Sequence, residues 1–227
     1  MVTQFWKQSK STETSSTIHP ADGALERLME GNSRFIGGTR SVESIMAHMR
    51  MPDLAKKGQK PFAIILTCSD SRSPVELIFD QGVGDLFVVR VAGNIVDPSL
   101  LASIEFAVAN FQSPLIFVLG HSLCGAIKAT VQHCENPASS LPSTHLIDLV
   151  NRLKPAVAQT MGAPDSTSGH YLDRVTGTNV RNSMKTILDQ SDIVRDAVQK
   201  GQLKIAGGVL DLHTGQVTVL ETQNSSI

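Results

Sequence analysis

Residues Phe62 to Thr67 form a nearly unbroken apolar run, FAIILT, that stops abruptly at Cys68-Ser69-Asp70-Ser71-Arg72. A strand without polar alternation has both faces buried, which places it inside a mainly parallel sheet covered by helices on two sides. In such sheets ligands collect beyond the carboxyl ends of the strands. A thiol, a carboxylate and a guanidinium therefore emerge where a site is expected.

Four further runs read as strands: LFVVRVAGN (86–94), LIFVL (115–119), LKIAGGVLD (203–211) and QVTVLE (216–221). Amphipathic segments fill the spaces between them. The first helix is opened by Pro20, carries Leu25, Leu28 and Met29 on one face, and is expected to close at Gly31. A second amphipathic stretch runs to Gly58. Helices follow over Val75–Phe79, Leu101–Asn110, from Gly125 through Ile127 and Val131, over Leu146–Val157, and as one long helix from Asn179 to about Lys200. Alternating strands and helices predict an α/β fold with a mainly parallel central sheet. The turn residues Leu212 to Gly215 make the last two strands a hairpin, adding an antiparallel edge. A chain of 227 residues suits one domain, read as 20–227. Residues 1–19 are a polar arm leading into the N-terminal helices, either disordered or docked on a partner subunit through Phe5 and Trp6.

Composition narrows the functional classes. A formal net charge of −1 and a sparse aromatic set without a basic patch argue against nucleic acid as a partner. No segment reaches the ~20 apolar residues of a membrane span, and the N-terminus has no apolar run of signal-peptide length. A cytoplasmic setting follows, unless a leader has been removed. Three cysteines in a chain this long do not make a disulfide framework, so free thiols are expected.

Zinc takes sulfur and imidazole ligands in tetrahedral geometry, and catalytic sites keep three protein ligands with one position open. Cys68 ends one apolar strand, and His121 and Cys124 follow another. Adjacent parallel strands would bring the three together. The alternative is that both cysteines are small buried hydrophobes. Cys134 directly follows His133, and neighbours on a helix do not share a face, so it reads as a spare thiol. His19, His48, His133, His145, His170 and His213 read as solvated or capping residues. Asp70 stands two residues from both Cys68 and Arg72. Bidentate pairing with Arg72 would keep it ionised beside the metal. As an incidental surface pair the two would contribute only ~0–1 kcal/mol. CSDSR is too short to encircle a phosphate, and GHSLCGA lacks the GxxxxGK[ST] pattern of a nucleotide loop.

CSDSR followed by GHSLCG strongly resembles the β-class carbonic anhydrases. The similarity extends over about residues 22–221, through GNSRF (31–35), QKPFAIILTCSDSRSPVELIFD (59–80), GDLFVVRVAGN (84–94), ASIEFAV (102–108), GHSLCGAIKA (120–129) and GGVLDLHTGQVTVLE (207–221). The resemblance implies Zn2+ held by Cys68, His121 and Cys124, Asp70 and Arg72 as a catalytic dyad, and reversible hydration of carbon dioxide to bicarbonate. Gln59 matches the substrate-binding glutamine of the plant-like subgroup, and Phe87 its apolar pocket wall. Ile65 stands where the bicarbonate-inhibited subgroup has tryptophan. Phe106 replaces the tyrosine of the plant-like pattern, keeping the ring without the hydroxyl. The resemblance further implies a homodimer or tetramer in which the glutamine is lent by the neighbouring subunit. Two other functions share these motifs: hydrolysis of carbon disulfide or carbonyl sulfide, and a non-catalytic zinc-stabilised scaffold. A scaffold would need neither the dyad nor Gln59, and would normally close with a fourth protein ligand.

Overall fold

The computed structural model describes residues 19–137, 141–161 and 169–223. The proposed arm with Phe5 and Trp6 lies outside them. In chain order the elements are α1 Pro20–Ile36, α2 Val42–Ile45, a 3-10 turn Met46–Arg50, α3 Met51–Lys57, β1 Ala63–Thr67, α4 Val75–Ile78 and β2 Leu86–Arg90. A 3-10 turn Ala92–Asn94 follows, then α5 Pro98–Phe111, β3 Leu115–His121, α6 Gly125–Glu135, α7 Thr144–Thr160, α8 Gly169–Gln190, α9 Asp192–Gln199, β4 Lys204–Leu210 and β5 Val217–Gln223. The strands form one sheet in the order β2-β1-β3-β4-β5. All neighbours are parallel except β4 and β5, which pair antiparallel.

Every residue of β1 and β3 is buried, as an apolar run without alternation requires. Successive side chains leave opposite faces. Ala63, Ile65 and Phe117 pack with α1 and α4 around Leu28, Ile78 and Phe79, while Ile64, Leu66, Ile116 and Val118 pack with α5, α8 and α9 around Ile104, Met184 and Val194. A third apolar group joins α6, α7 and α8 beyond the carboxyl ends of the strands, and it contains Cys68 and Cys124.

The largest departures from the sequence reading are at α1 and α8. α1 does not close at Gly31 but continues to Ile36. A β-carbon at Gly31 would lie 1.7 Å from the Phe79 carbonyl oxygen, so this glycine lets α1 lie directly on backbone rather than stopping the helix. The long helix expected from Asn179 is two helices, and the first begins ten residues earlier. In its first turns the buried Tyr171 and Val175 are interleaved with the buried polar Thr176 and with Gly177, which weakens the apolar periodicity there. At Ser191 the backbone leaves the helical range, and the Ser191 hydroxyl accepts from the Val194 amide to start α9.

Asp80 fastens α1 and α2 to this scaffold. Its carboxylate is fully buried and accepts from Arg34 Nε at 2.7 Å, Arg40 Nε at 3.1 Å, the Ser41 amide at 2.9 Å and the Ser44 hydroxyl. Burial opposes its ionisation, but the four donors outweigh burial and hold it well below the usual carboxylate range. Breaking a fully buried ion pair costs ~3–5 kcal/mol. Both arginines are about one-third exposed, so Asp80→Asn is expected to cost about 2–3 kcal/mol at pH 7. Because the folded-state pKa is depressed, this contribution is complete above the unfolded value near ~4 and fades as pH falls below it. Urea midpoints of wild type and variant should therefore converge below pH ~4; a gap that stays constant down to pH ~3 would contradict the assignment.

Candidate metal centre

β1 and β3 lie side by side in parallel, with Thr67 opposite Leu119 and the Thr67 hydroxyl donating to the Leu119 carbonyl. Cys68, one residue past β1, therefore stands beside the end of β3, whose last residue is His121. Leu123 then turns the chain through a left-handed conformation (φ 57°), which sets Cys124 at the N-cap of α6 with its side chain free of any capping bond. Ser122 anchors this turn to the β4–β5 hairpin: its amide donates to the Leu210 carbonyl and its hydroxyl accepts from the Leu212 amide.

The result is a buried cluster in which the ligand atoms of Cys68, His121 and Cys124 all lie within 4.8 Å of one another. His121 Nδ1 is 2.9 Å from the Ser122 carbonyl oxygen. That acceptor places the proton on Nδ1, leaving the Nε2 lone pair facing the sulfurs. Nε2 is buried and has no hydrogen-bond partner of its own. An orphaned buried nitrogen is costly unless something electrophilic completes it. The sulfurs behave as a pair sharing one proton. The bond from Cys124 pulls the Cys68 thiol down against the effect of burial, and His121 and the Gly93 amide act in the same direction. Cys124 is pushed up by that same bond and by burial. Among the described residues no fourth cysteine, histidine or carboxylate joins the cluster. Two thiolates and a neutral imidazole with one position open suit a zinc ion of the catalytic type.

Asp70 forms the rim. Arg72 Nε donates to Oδ1 at 2.9 Å and Nη2 to Oδ2 at 2.7 Å, a bidentate pair, and the Arg72 amide adds a third bond to Oδ1. The Arg72 side chain holds Asp70 well below the usual carboxylate range, even though partial burial works the other way. Oδ2 stands 3.9 Å from His121 Nε2. Asp70 is thus an ionised acceptor beside the cluster, restrained by Arg72. Arg72 Nη2 also reaches the Leu123 carbonyl at 3.3 Å, tying the two ligand-bearing loops together.

Residues 63–217 match the family described as Carbonic anhydrase. Carbonic anhydrase 2 of Mycobacterium tuberculosis (strain ATCC 25618 / H37Rv) is 37% identical over 196 residues, covering 86% of this chain and 91% of its own. The chain belongs to the β class of the carbonic anhydrase family. The carbonic anhydrase of Mycolicibacterium smegmatis is 34% identical over 194 residues, covering 86% of this chain and 90% of its own. Among solved structures, the β-carbonic anhydrase CafA of Aspergillus fumigatus superposes with a TM-score of 0.68 at 26% identity, covering 88% and 90% of the two chains. One of two tetrameric β-carbonic anhydrases from Sordaria macrospora gives 0.67 at 25% identity, covering 88% and 99%.

Within one copy of this β-carbonic anhydrase, three of the residues singled out from the sequence lie away from the cluster. Gln59 is exposed and precedes β1, so the whole strand, roughly 16 Å at 3.3 Å per residue, separates it from Cys68. Phe87 sits on the edge strand β2 opposite Ile64, and its ring packs at 6.4 Å from Phe106 and 5.7 Å from Phe111 of α5. Phe106 is 54% exposed. Two residues that the sequence reading passed over do serve the cluster. Arg90 Nε donates to the Cys68 carbonyl at 3.0 Å and Nη2 to the Asp70 carbonyl at 2.7 Å, fixing the backbone on both sides of Ser69. The Gly93 amide donates to Cys68 Sγ at 3.3 Å. A charged residue at the carboxyl end of an apolar strand was the available signal for Arg90. Nothing local marks Gly93.

Proposed function

We propose that this protein hydrates carbon dioxide reversibly to bicarbonate and a proton, using a zinc ion held by Cys68, His121 and Cys124. The observation that carries this is the convergence of those three buried ligand atoms, with His121 Nε2 left without a partner, beside an ionised Asp70. When bound, zinc makes a nucleophile of hydroxide strength available from water near neutral pH. The chain's own residues do the rest. Asp70 accepts a hydrogen bond from the attacking water and so fixes which lone pair faces carbon dioxide. Arg72 keeps that carboxylate charged and aimed. The two thiolates offset the formal charge of the ion, so turnover is expected to be greatest on the alkaline side.

Gln59 and the Phe87 and Phe106 rings would complete the substrate pocket of a second copy, with Gln59 orienting the substrate oxygen. Self-association is supported by two features: the exposed apolar strip Val42, Ile45, Met46, Met49 and Met51 along α2, the 3-10 turn after it and the start of α3, and the position of Gln59 at the far end of its own β1. Re-associated mixtures of Gln59→Ala and Asp70→Asn chains should hydrate carbon dioxide faster than the two homomers summed; purely additive rates would place Gln59 outside the neighbour's site. The plant-like subgroup is the reading favoured by Ile65, which is fully buried inside the sheet where the other subgroup carries tryptophan. Among the described residues no helix is long and apolar enough to cross a membrane, and all three cysteines are free. A reducing cytoplasm, which keeps thiol ligands available, is the proposed location.

The activity is tested by stopped-flow hydration with a pH indicator at pH ~8.5, on protein loaded with zinc. Turnover that is lost on chelation and restored by zinc is expected. A zinc-loaded sample that hydrates carbon dioxide no faster than buffer would refute the proposal. Preferential turnover of carbon disulfide or carbonyl sulfide in parallel reactions would reassign the substrate.

A further inference from the structure

The Ala92–Asn94 turn that brings an amide to Cys68 Sγ is held in an unusual shape. Gly93 and Asn94 both take left-handed conformations, with φ of 70° and 40°. Glycine and asparagine are the residues that enter this region most readily, so the turn's residue types permit the shape and its contacts hold it in place. A β-carbon at Gly93 would also come within 3.0 Å of Leu153 Cδ1, so the turn is pressed against α7. Both of its last carbonyls are taken up by one face of α8: Asn179 Nδ2 donates to the Gly93 carbonyl at 2.8 Å, and Ser183 Oγ donates to the Asn94 carbonyl at 2.9 Å. Asn179 and Ser183 stand one helical turn apart, and both are at least 96% buried. They lie 86 and 89 residues from their partners.

We propose that Asn179 and Ser183 are positioning residues for the metal centre: they hold the Gly93 amide against Cys68 Sγ and thereby set how much charge that sulfur gives to the ion. An N–H donated to a thiolate draws electron density from it, so the metal remains a stronger Lewis acid and the ligand keeps its direction. Without the two α8 donors the Gly93 and Asn94 carbonyls lose the bonds that fix the turn, and the amide is no longer held against the sulfur. The inference rests on Cys68, His121 and Cys124 holding the ion, and it explains why an otherwise amphipathic helix buries an amide and a hydroxyl on the side facing this turn.

The test uses the full chain loaded with Co2+, whose thiolate-to-metal charge-transfer absorption reports on the sulfurs directly. Asn179→Ala is expected to move that absorption to longer wavelength and to weaken Co2+ affinity by about 10- to 100-fold in chelator competition, the range for losing a residue that orients a ligand. Ser183→Ala, which removes one hydroxyl, should move both readouts in the same direction by less, and it decides the matter if Asn179→Ala does not fold. Thr186→Ala is the control. It removes a comparable helix hydroxyl bond, Oγ1 to the Asn182 carbonyl, without touching the turn, and should leave the absorption in place. Wild-type absorption and affinity in both Asn179→Ala and Ser183→Ala would overturn the proposal, as would an equal shift in Thr186→Ala. A wild-type chain that binds Co2+ with no thiolate absorption would instead remove the metal assignment on which the inference stands.

Discussion

Cys68→Ala is expected to lower carbon dioxide hydration by at least ~10⁴-fold, the upper end of what a single acid–base group supplies, because the metal centre is lost rather than one proton acceptor. The three ligand atoms lie within 4.8 Å of one another, and among the described residues no other thiol joins the cluster. Zinc content, read by mass spectrometry of the native protein or by a colorimetric chelator, should fall from near stoichiometric to near zero in parallel. The fold should survive in part, since β1 and β3 are locked by their ladder and by the Thr67 bond independently of Cys68. Activity within tenfold of wild type, with the metal retained, would show that Cys68 is a buried hydrophobe and not a ligand.

Asp70→Asn should slow hydration by about 10²- to 10³-fold while leaving zinc bound, within the range of general acid–base contributions. The amide keeps the size of the carboxylate and can still accept from Arg72, so the loops stay in place. It loses the charge and presents an N–H where an acceptor is needed. Because Arg72 holds Asp70 well below the usual carboxylate range, the wild-type carboxylate is charged throughout the working pH range. The loss should accordingly be the same factor at pH ~7 and pH ~9. A ratio of wild-type to variant rates that changes tenfold across that interval would mean that Asp70 titrates there, contrary to its pairing with Arg72. Undiminished activity with zinc present would remove it from the mechanism.

The readability of the chain differed from residue to residue for physical reasons. Cys68, His121 and Cys124 stood out because each follows an apolar run long and uninterrupted enough to define a buried strand, and a reactive side chain at such an end has few structural uses. The first turns of α8 are hard to read because residues 169–178 mix the buried Tyr171 and Val175 with the buried polar Thr176 and with Gly177, which breaks the apolar spacing. Gly31 was mistaken for a stop because a glycine that ends a helix and one that admits a neighbouring backbone look alike in sequence. Gln59 could be recognised, but residue order alone does not say which copy's site it would serve.

By itself, then, the sequence determined the layered α/β fold and which polar side chains end its apolar strands, because residue type and strand periodicity are local properties written along the chain; the ligand set and the Asp70–Arg72 dyad came from the resemblance to the β class. The tertiary structure decided which strand stands beside which, the tautomer of His121 set by the Ser122 carbonyl, and the resting place of Asp70 on Arg72 rather than in the ligand cluster. It also decided the amide aimed at Cys68 from a turn held 86 residues further along the chain. These depend on hydrogen bonds between distant segments, whose partners meet only when the sheet and its covering helices have packed.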